Sequence, residues 1–310
     1  MKKMINTTHI EGLLYEHKLE LRESGPNSKN PGTKFIMGTV DIATDDKCTN
    51  IVPVHFTYVT ATTSKGATNA TFTALMNIID GKYGAIMVNG KDNAVKLRID
   101  SAIGLNEFYT ERNGQEELVS AKRNEGGFVH AADSLLEDET ARNTFKCDML
   151  ITNVRELEAD EEKDLPAKAI VHGAIFDFRG SLMPVEFTAL NPKAIDYFMS
   201  LEASQRNPVL TCVWGRQVSE VTVRKIVTES AFGEDEVREV KSSRKDFVIT
   251  GAAKEPYLWD DESTITANEL SEAIQKREVD LAAMKKRQDE YKASKNAPAA
   301  TAPAKGGFNF

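Results

Sequence analysis

Cations and aromatic residues on strand-like segments are the side chains of this sequence best suited to binding chemistry. Lys96 and Arg98 alternate with the apolar Val95, Leu97 and Ile99, so on a strand the two cations share the face opposite the apolar one. Cations attract phosphates through a salt-sensitive interaction, and a base that stacks on an aromatic ring gains about 1–3 kcal/mol. The pattern therefore favours the binding of a nucleic acid.

The prediction rests on a group of residues in both halves of the chain. Any one aromatic has core packing as its alternative role, and any one strand cation has simple solvation. The candidates in the first half are Lys96, Arg98, Tyr109, Arg112, Lys122, Arg123 and Phe128. The candidates in the second half are Trp214, Arg216, Arg224, Lys225, Arg244, Lys245 and Phe247.

No assembled signature of catalysis accompanies these residues. The sequence contains no P-loop, no dinucleotide-binding fingerprint, no HExxH and no GxSxG. Its five histidines have no metal-ligand spacing, and its three cysteines, Cys48, Cys147 and Cys212, form no CxxC pair. We therefore expect a protein that is not an enzyme and that needs neither a cofactor nor a metal.

Composition indicates a globular chain with room for two domains and an appendage. The chain has 310 residues, of which 41% are hydrophobic and 28% are charged. No apolar run approaches the length of a membrane span and no signal peptide is evident, so we expect a cytoplasmic protein. The net charge of −8 requires any phosphate-binding surface to be local, with the acidic clusters elsewhere.

A short phrase occurs twice and indicates an internal duplication. Residues 52–57 read Val-Pro-Val-His-Phe-Thr, and residues 183–188 read Met-Pro-Val-Glu-Phe-Thr. Each copy follows a strand built around a glycine, and each precedes a helix and then further alternating strands. The two helices are predicted over Thr71–Asp80 and from Pro192, with Asn191 as its N-cap. Each half is therefore predicted to have the order β-β-β-α-β-β.

The remaining segments give the predicted domain boundaries. A first domain over residues 1–135, a linker over 136–144 and a second domain over 145–255 precede a C-terminal helix over 256–293 and a disordered tail over 294–310. Thr266 and Glu269 fit a capping box at the start of the helix, which has one apolar seam. This seam either docks on the protein itself or mediates self-association.

The predicted element order resembles that of single-stranded DNA-binding proteins of the bacteriophage and mobile-element type. Their fold is the OB-fold, a five-stranded Greek-key barrel. The resemblance implies a mainly β protein with helices, made of two tandem OB-like barrels, a C-terminal helix and a disordered tail. It also implies that single-stranded DNA is held on the barrel face with little sequence specificity, and that the protein acts in DNA replication, recombination or repair. The location would be the host cytoplasm if the protein is phage-encoded.

The C-terminal tip adds a second expectation from the same resemblance. Phe308 and Phe310 end a low-complexity tail, and in the family such a tip recruits replication or recombination proteins. The tip departs from the family because no acidic run precedes it. A frayed end is the alternative for the tail. For the whole chain, the alternative is a duplicated β-rich structural protein, such as a virion component or a clamp-like ring, and the oligomeric state stays open.

Overall fold

Strands make up most of the regular structure in the computed structural model of the chain. The structure describes residues 4–26, 28–112, 114–159, 166–228, 236–259 and 264–296, with side chains for all of these except 220–228, 236–245 and 294–296. The fold is mainly β with a few helices, as predicted.

The elements follow the predicted order in both halves. The first half contains β1 (Asn6–His17), β2 (Glu20–Glu23), β3 (Lys34–Ala43), β4 (Ile51–Thr60), α1 (Ala70–Ile79), α2 (Ile86–Asn89), a 3-10 turn (Lys91–Asn93), β5 (Lys96–Arg112) and β6 (Gln115–Ala131). The second half contains a 3-10 turn (Glu139–Ala141), β7 (Asn143–Leu157), β8 (Lys168–Phe176), β9 (Leu182–Ala189), α3 (Pro192–Ser200), β10 (Val209–Thr228), β11 (Glu236–Ala252) and α4 (Ala267–Asn296). The short strand β2 and the short helix α2 were not predicted, and β5 and β10 are each one long strand where two shorter segments were expected.

Side-chain caps fix the starts of the three longer helices, and the sequence predicted those of α3 and α4. The side chain of Asn69 accepts a hydrogen bond from the backbone amide of Thr71 in α1, and that of Asn191 accepts one from Lys193 in α3. At α4, the amide of Glu269 donates to the hydroxyl of Thr266, and the amide of Thr266 donates to the carboxylate of Glu269. These reciprocal bonds satisfy amides that have no partner inside a helix.

The strand pairings repeat the same pattern in both halves. The sheet has the order β10-β11-β9-β8-β7-β1-β5-β6-β4-β3-β2, and β1 also pairs with β3 while β10 also pairs with β7. The pairings of the first half therefore run β1-β3-β4-β6-β5 and return to β1. Those of the second half run β7-β8-β9-β11-β10 and return to β7. The third strand of each half pairs in parallel with the last strand, β4 with β6 and β9 with β11.

Each half buries its own hydrophobic cluster. Strands β1, β3, β4 and β5 with helix α1 build the cluster of the first half, and strands β7, β8, β9 and β11 with helix α3 build that of the second. The repeated phrase contributes Val54 and Phe56 to the first cluster and Val185 and Phe187 to the second. The apolar residues of the phrase therefore lie in the interior of each half.

Several contacts fix the halves to each other, among them a strand pairing and a buried pair of side-chain amides. Strand β1 pairs antiparallel with β7, from Asn6 opposite Cys147 to Ile10 opposite Asn143. The buried side-chain amides of Asn124 and Gln217 also exchange two hydrogen bonds, of 2.7 and 2.8 Å. The predicted linker 136–144 therefore lies within a tight junction, because it includes a 3-10 turn and the first residues of β7.

Helix α4 docks on the protein, mostly along the hairpin formed by β5 and β6. Arg277 forms a largely buried ion pair with Glu107 on β5, with a nitrogen-to-oxygen distance of 2.6 Å. Farther along, the side chain of Gln288 bonds both the amide and the carbonyl of Tyr109, and Lys285 pairs with Glu116 at 2.7 Å. A helix from the end of the chain thus supports a hairpin of the first half. Within the residues that the structure describes, no helix combines the length and the apolarity needed to cross a membrane.

Candidate nucleic-acid interface

Neighbouring antiparallel strands from both halves form one continuous sheet face. Strands β6, β5, β1, β7 and β10 pair in that order, and their register places Phe128, Asp100, His9, Thr144 and Arg216 in one row across them. Residues directly opposite in antiparallel strands point to the same side of a sheet. The row therefore crosses the junction of the two halves without interruption.

Positions two residues away along each strand share this side of the sheet. They add Arg98 on β5, Lys146 on β7 and Trp214, which lies opposite Lys146 on β10. We call this surface the bridging face and define it by Arg98, Phe128, Lys146, Trp214 and Arg216. The sequence predicted four of these residues, all except Lys146.

Two exposed aromatic rings stand on the bridging face, one from each half. The Phe128 side chain is 69% exposed and the Trp214 side chain is 41% exposed. Both line one open groove of about 910 Å³, together with Lys146 and Arg216. Four strand spacings of about 4.8 Å separate the strands that carry the two rings, which is a distance of about 19 Å across the sheet.

A glycine bulge presents Phe128. The register of β5 and β6 shifts between Asp100 and Ala102, so that Gly126 and Gly127 together lie opposite the single residue Ser101. Their φ angles are +69° and +115°, and a Cβ on Gly127 would lie 2.4 Å from the carbonyl oxygen of Asp100. Only glycine fits this backbone. Because such a bulge redirects the residues beside it, it is a cause of the exposure of the Phe128 ring.

A second bulge and another glycine present Trp214. The register of β10 and β11 shifts between Trp214 and Gly215. A Cβ on Gly251, the residue opposite Trp214, would lie 2.3 Å from the indole nitrogen Nε1 and 2.4 Å from Cε2. The indole therefore rests against the backbone of Gly251, and the absence of a side chain there allows it to do so.

The cations of the bridging face are available to a ligand, whereas the two carboxylates on the same face, those of Asp100 and Glu11, already have partners in the protein. Within the described part of the chain, the side chains of Arg98, Lys146 and Arg216 form no hydrogen bond or ion pair. His9 lies between the two carboxylates, with Nδ1 at 2.7 Å from Asp100 and Nε2 at 3.4 Å from Glu11. Glu11 is also buried and accepts a hydrogen bond of 2.6 Å from the amide of Leu136.

Lys96 lies at the end of the same strand face. Its Nζ atom donates a hydrogen bond of 2.9 Å to the carbonyl of Asp133, so the ammonium is held at the edge of the sheet. Lys96 can add to the positive potential of the bridging face, but it lies outside the groove that Phe128 and Trp214 line.

Lys122 and Arg123 lie in a different place from the bridging face. The ammonium of Lys122 is 5.4 Å from the ring centroid of Phe187 and donates to the carbonyl of Glu186, and burial lowers its pKa. Arg123 pairs with Glu125 at 2.9 Å. Both cations therefore have partners inside the protein that a phosphate would have to replace.

Tyr109 and Arg112 lie on the outer part of the β5–β6 hairpin. The backbone of Tyr109 bonds α4, and the ammonium of Lys285 lies 5.5 Å from the centre of its ring. Arg112 is 4.0 Å from Glu117 on the neighbouring strand. Neither residue is near Phe128 or Trp214 in the register of the sheet.

Phe247 is corrected by the structure from a binding residue to a core residue. Its ring is buried, with its centre 5.5 Å from that of Phe145 and 5.8 Å from that of Phe187. The ring is part of the hydrophobic cluster of the second half. Of the two aromatic residues predicted there, Trp214 is the exposed one.

The other predicted residues are known only in part. The backbones of Arg224 and Lys225 pair with β11, and those of Arg244 and Lys245 pair with β10, in the outer part of that hairpin. Their side chains lie outside the described residues, as do Phe308 and Phe310 entirely. The predictions for these six residues stay predictions.

Sequence reasoning missed Lys146 and His9. Lys146 has a local signal, because it alternates with Phe145 and Cys147, which are both buried. Its place beside Trp214 depends on the pairing of β7 with β10, which is a contact between distant segments. Among the residues that the structure describes, no group of three or more histidine, cysteine, aspartate or glutamate side chains is placed to hold a metal ion.

Comparison with known proteins gives one family, and the similar solved structures include two forms of one protein. The YorF family model matches residues 4–292, while no curated protein sequence matches the chain. A deletion mutant of the single-stranded DNA binding protein from Thermus aquaticus has 11% sequence identity and a TM-score of 0.46, over 86% of this chain and 100% of that one. The wild-type form has 9% identity and a TM-score of 0.43, over 82% and 94%.

At these TM-scores we draw no conclusion from the two structures. The family match extends over nearly all of the residues that the structure describes. The chain belongs to the YorF family.

Proposed function

We propose that this protein binds single-stranded DNA on the bridging face, without catalysis and with little sequence specificity. The observation that carries the proposal is the pair of exposed rings, Phe128 and Trp214, on one groove with unpaired cations. An aromatic ring stacks on the flat face of a base, which is accessible only when the base is not enclosed in a duplex. Because every base has such a face, stacking discriminates little among sequences.

The charge distribution supports the same ligand. Arg98, Lys146 and Arg216 lie on the same sheet face as the rings, at positions that a phosphate backbone crossing the sheet would pass. The net charge of −8 thus coexists with a local cationic surface. A strand crossing the distance of about 19 Å between the strands that carry the two rings would contact both halves at once.

We also propose that each half is an OB-like barrel, and that the two arose by duplication. Support comes from the cyclic strand pairings of both halves, the parallel pairing of the third strand with the last, and the helix that follows the third strand. This is the strand arrangement that the OB-fold requires. The division into domains at residues 1–135 and 145–255 belongs to this proposal.

Fluorescence of Trp214 gives a direct test. The chain has two tryptophans, so the substitution Trp259→Phe leaves Trp214 as the single reporter. Titration with oligo-dT at low salt is expected to quench the fluorescence, and added salt is expected to reverse the quenching. Phe128→Ala in the same background should weaken binding about fivefold to a hundredfold, the loss of about 1–3 kcal/mol of stacking.

Tyr58→Ala is the matched control, because Tyr58 is an exposed aromatic that does not line the groove. Its affinity for oligo-dT should equal that of the parent protein. Unchanged fluorescence together with no mobility shift at low salt would refute DNA binding. A defined oligomer in size-exclusion chromatography that is indifferent to oligonucleotide would then favour the structural or assembly role.

The biological setting is a further part of the proposal. We propose action in the cytoplasm during replication, recombination or repair, with Phe308 and Phe310 as the contact for partner proteins. Deleting the last five residues should leave oligo-dT binding unchanged and abolish capture of such partners. Loss of DNA binding in this deletion would contradict the separate role of the tip.

A further inference from the structure

A second groove lies between the β5–β6 hairpin, helix α4 and the turn that joins β8 to β9. It has a volume of about 1360 Å³. Phe178 stands at its wall with a side chain that is 80% exposed, and the guanidinium of Arg179 lies 4.9 Å from the centre of that ring. Lys276 and Arg287 of α4 also line the groove. We call this the helix groove and define it by these four residues.

Most carboxylates in the helix groove have partners inside the protein. Glu107 pairs with Arg277 at 2.6 Å and Glu125 pairs with Arg123 at 2.9 Å. Asp177 accepts hydrogen bonds from the amides of Arg179 and Ser181, at 2.8 and 2.7 Å, and so closes the turn. The paired carboxylates of Glu107 and Glu125 therefore add little negative potential to the space of the groove, whereas Asp177 keeps its charge.

The cations that define the helix groove are not neutralised in this way. Lys276 donates to the carbonyl of Arg179 at 3.2 Å, and Arg287 donates to the carbonyl of Ala283 in its own helix at 3.2 Å. A carbonyl leaves the positive charge uncompensated. Against Arg179, Lys276 and Arg287, only the carboxylates of Asp177 and Asp280 line the groove without a cationic partner in the described part of the chain.

The helix groove is continuous with the groove of the bridging face. Thr7 on β1 lines both. Gly126 and Gly127 line the helix groove, and the next residue, Phe128, carries the exposed ring of the other. A strand that leaves Phe128 toward Thr7 therefore enters the space in front of Phe178.

We infer that the helix groove is a second subsite for the same single strand of DNA, in which Phe178 stacks on a base and the three cations contact phosphates. The inference rests on the proposed function, since it extends the path of that ligand. It assigns α4 a part in binding, as a wall that carries two of the cations. It also makes the binding site longer than the bridging face alone.

The length of the oligonucleotide separates the two subsites. Binding is measured by quenching of Trp214 in the Trp259→Phe protein, with oligo-dT of about 6 and about 25 nucleotides, which bracket the sizes typical of single OB-folds. The triple variant Phe178→Ala, Arg179→Gln, Arg287→Gln should bind the longer oligonucleotide at least tenfold more weakly and with fewer nucleotides per protein. Its affinity for the shorter one should change less than twofold.

A matched control removes the same kinds of side chain elsewhere. Tyr58→Ala, Arg22→Gln, Lys82→Gln takes away one exposed aromatic and two exposed cations that line neither groove. This variant should bind both oligonucleotides as the parent protein does. As a second measurement, a photoreactive thymine at one end of the longer oligonucleotide should cross-link to the peptide of Phe178 or to α4.

The outcomes distinguish the inference from the proposed function. If the triple variant binds the longer oligonucleotide as the parent does, or if neither end cross-links to this groove, the second subsite is refuted while DNA binding stands. If the parent protein binds neither oligonucleotide, the proposed function itself has failed. Weakening of binding to both lengths by Phe128→Ala, together with weakening of binding to the longer one alone by the triple variant, supports both.

Discussion

At the scale of residues, the two aromatic positions show how a sheet surface presents a ring to solvent. Burial of a large apolar side chain contributes about 1.5–3 kcal/mol, and Phe145, Phe187 and Phe247 gain it in the core. Phe128 and Trp214 lie on the outer face of the same sheet, at two bulges, and each faces a glycine or follows one. Glycines at these positions are therefore part of the binding surface, although they contribute no side chain.

We predict that Gly251→Ala displaces the Trp214 ring without unfolding the protein. The added methyl would lie 2.3 Å from the indole nitrogen, so the indole must rotate away, and the strand backbone at residue 251 accepts alanine. Oligo-dT affinity should fall about tenfold, within the range of one lost stacking contact. Intrinsic fluorescence and an oligo-dT titration measure both effects.

Gly215→Ala is the informative comparison, because its added methyl would meet the carbonyl oxygen of Val248 at 2.0 Å. The backbone of Val248 cannot move aside as the indole of Trp214 can. The Gly215→Ala variant should therefore have a lower free energy of unfolding than the parent protein. A Gly251→Ala protein that unfolds as readily as Gly215→Ala would contradict the role assigned to Gly251.

We also predict that Arg98, Lys146 and Arg216 each contact one phosphate. Replacement of any one by glutamine should lower the slope of log affinity against log salt by about 0.7, the value for one phosphate on a single strand. Oligo-dT titrations at several salt concentrations measure the slope. Arg22→Gln, on β2 and outside both grooves, serves as control, and an unchanged slope for all three variants would show that these cations are only solvated.

At the scale of elements, the long β5–β6 hairpin depends on helix α4 for support. Strands of this length beyond the core expose backbone and side chains that need a partner. Helix α4 supplies the buried pair of Arg277 with Glu107 and the bonds of Gln288 to the Tyr109 backbone. The helix thereby also encloses the helix groove, so that docking and the second subsite depend on each other.

We predict an acid-sensitive contribution from Glu116 at the far end of this contact. The hydrogen bond from Lys285 holds the pKa of Glu116 below its ordinary value of 4.5. A carboxyl whose pKa is lower in the folded state stabilises the fold above the unfolded value, and it loses that effect as the pH falls through the folded value. Glu116→Gln should therefore be less stable than the parent at pH 6 and equally stable at strongly acidic pH.

Urea unfolding over a range of pH measures this difference. Glu111→Gln is a suitable control because Glu111 lies on the same hairpin and forms no ion pair in the described part of the chain. A difference between parent and Glu116→Gln that persists unchanged at strongly acidic pH would contradict the ionic origin of the effect.

At the scale of the whole molecule, the junction joins the outer sheet faces of the two halves into one surface. The pairing of β1 with β7 continues the sheet from one half into the other. The side-chain amides of Asn124 and Gln217 form hydrogen bonds across the same junction. The register across β5, β1, β7 and β10 would be lost if the halves turned against each other. The relative position of Phe128 and Trp214 therefore depends on this junction.

We predict that Gln217→Ala loosens the junction. The substitution leaves the buried side-chain oxygen of Asn124 without the donor that Gln217 supplies, which costs about 1–3 kcal/mol. Urea unfolding followed by Trp214 fluorescence and by far-UV circular dichroism should then give transitions that no longer coincide. Gln115→Ala, at the exposed hairpin tip, is the control, and coincident transitions of unchanged midpoint in Gln217→Ala would show that the strand pairing alone holds the halves.

The sequence by itself determined the local elements and their order. Caps at Asn69, Asn191 and Thr266 define where helices begin, because these side chains bond amides within the first turn. Alternation correctly separated Arg98 from its apolar neighbours, and it placed Phe56 in the interior. Each of these signals acts between residues that are close in the chain, which is why the sequence alone contains them.

Only the tertiary structure decided which aromatics are exposed and which cations join them. Alternation states that Trp214 and Phe247 lie on definite sides of their strands, but not which side meets the core, and the structure buries Phe247, the alternative role stated for each aromatic candidate. Lys146 reaches Trp214 only through the pairing of β7 with β10, and Phe128 joins them only through β1. Register between distant strands follows from the packing of whole faces, so no local pattern specifies it.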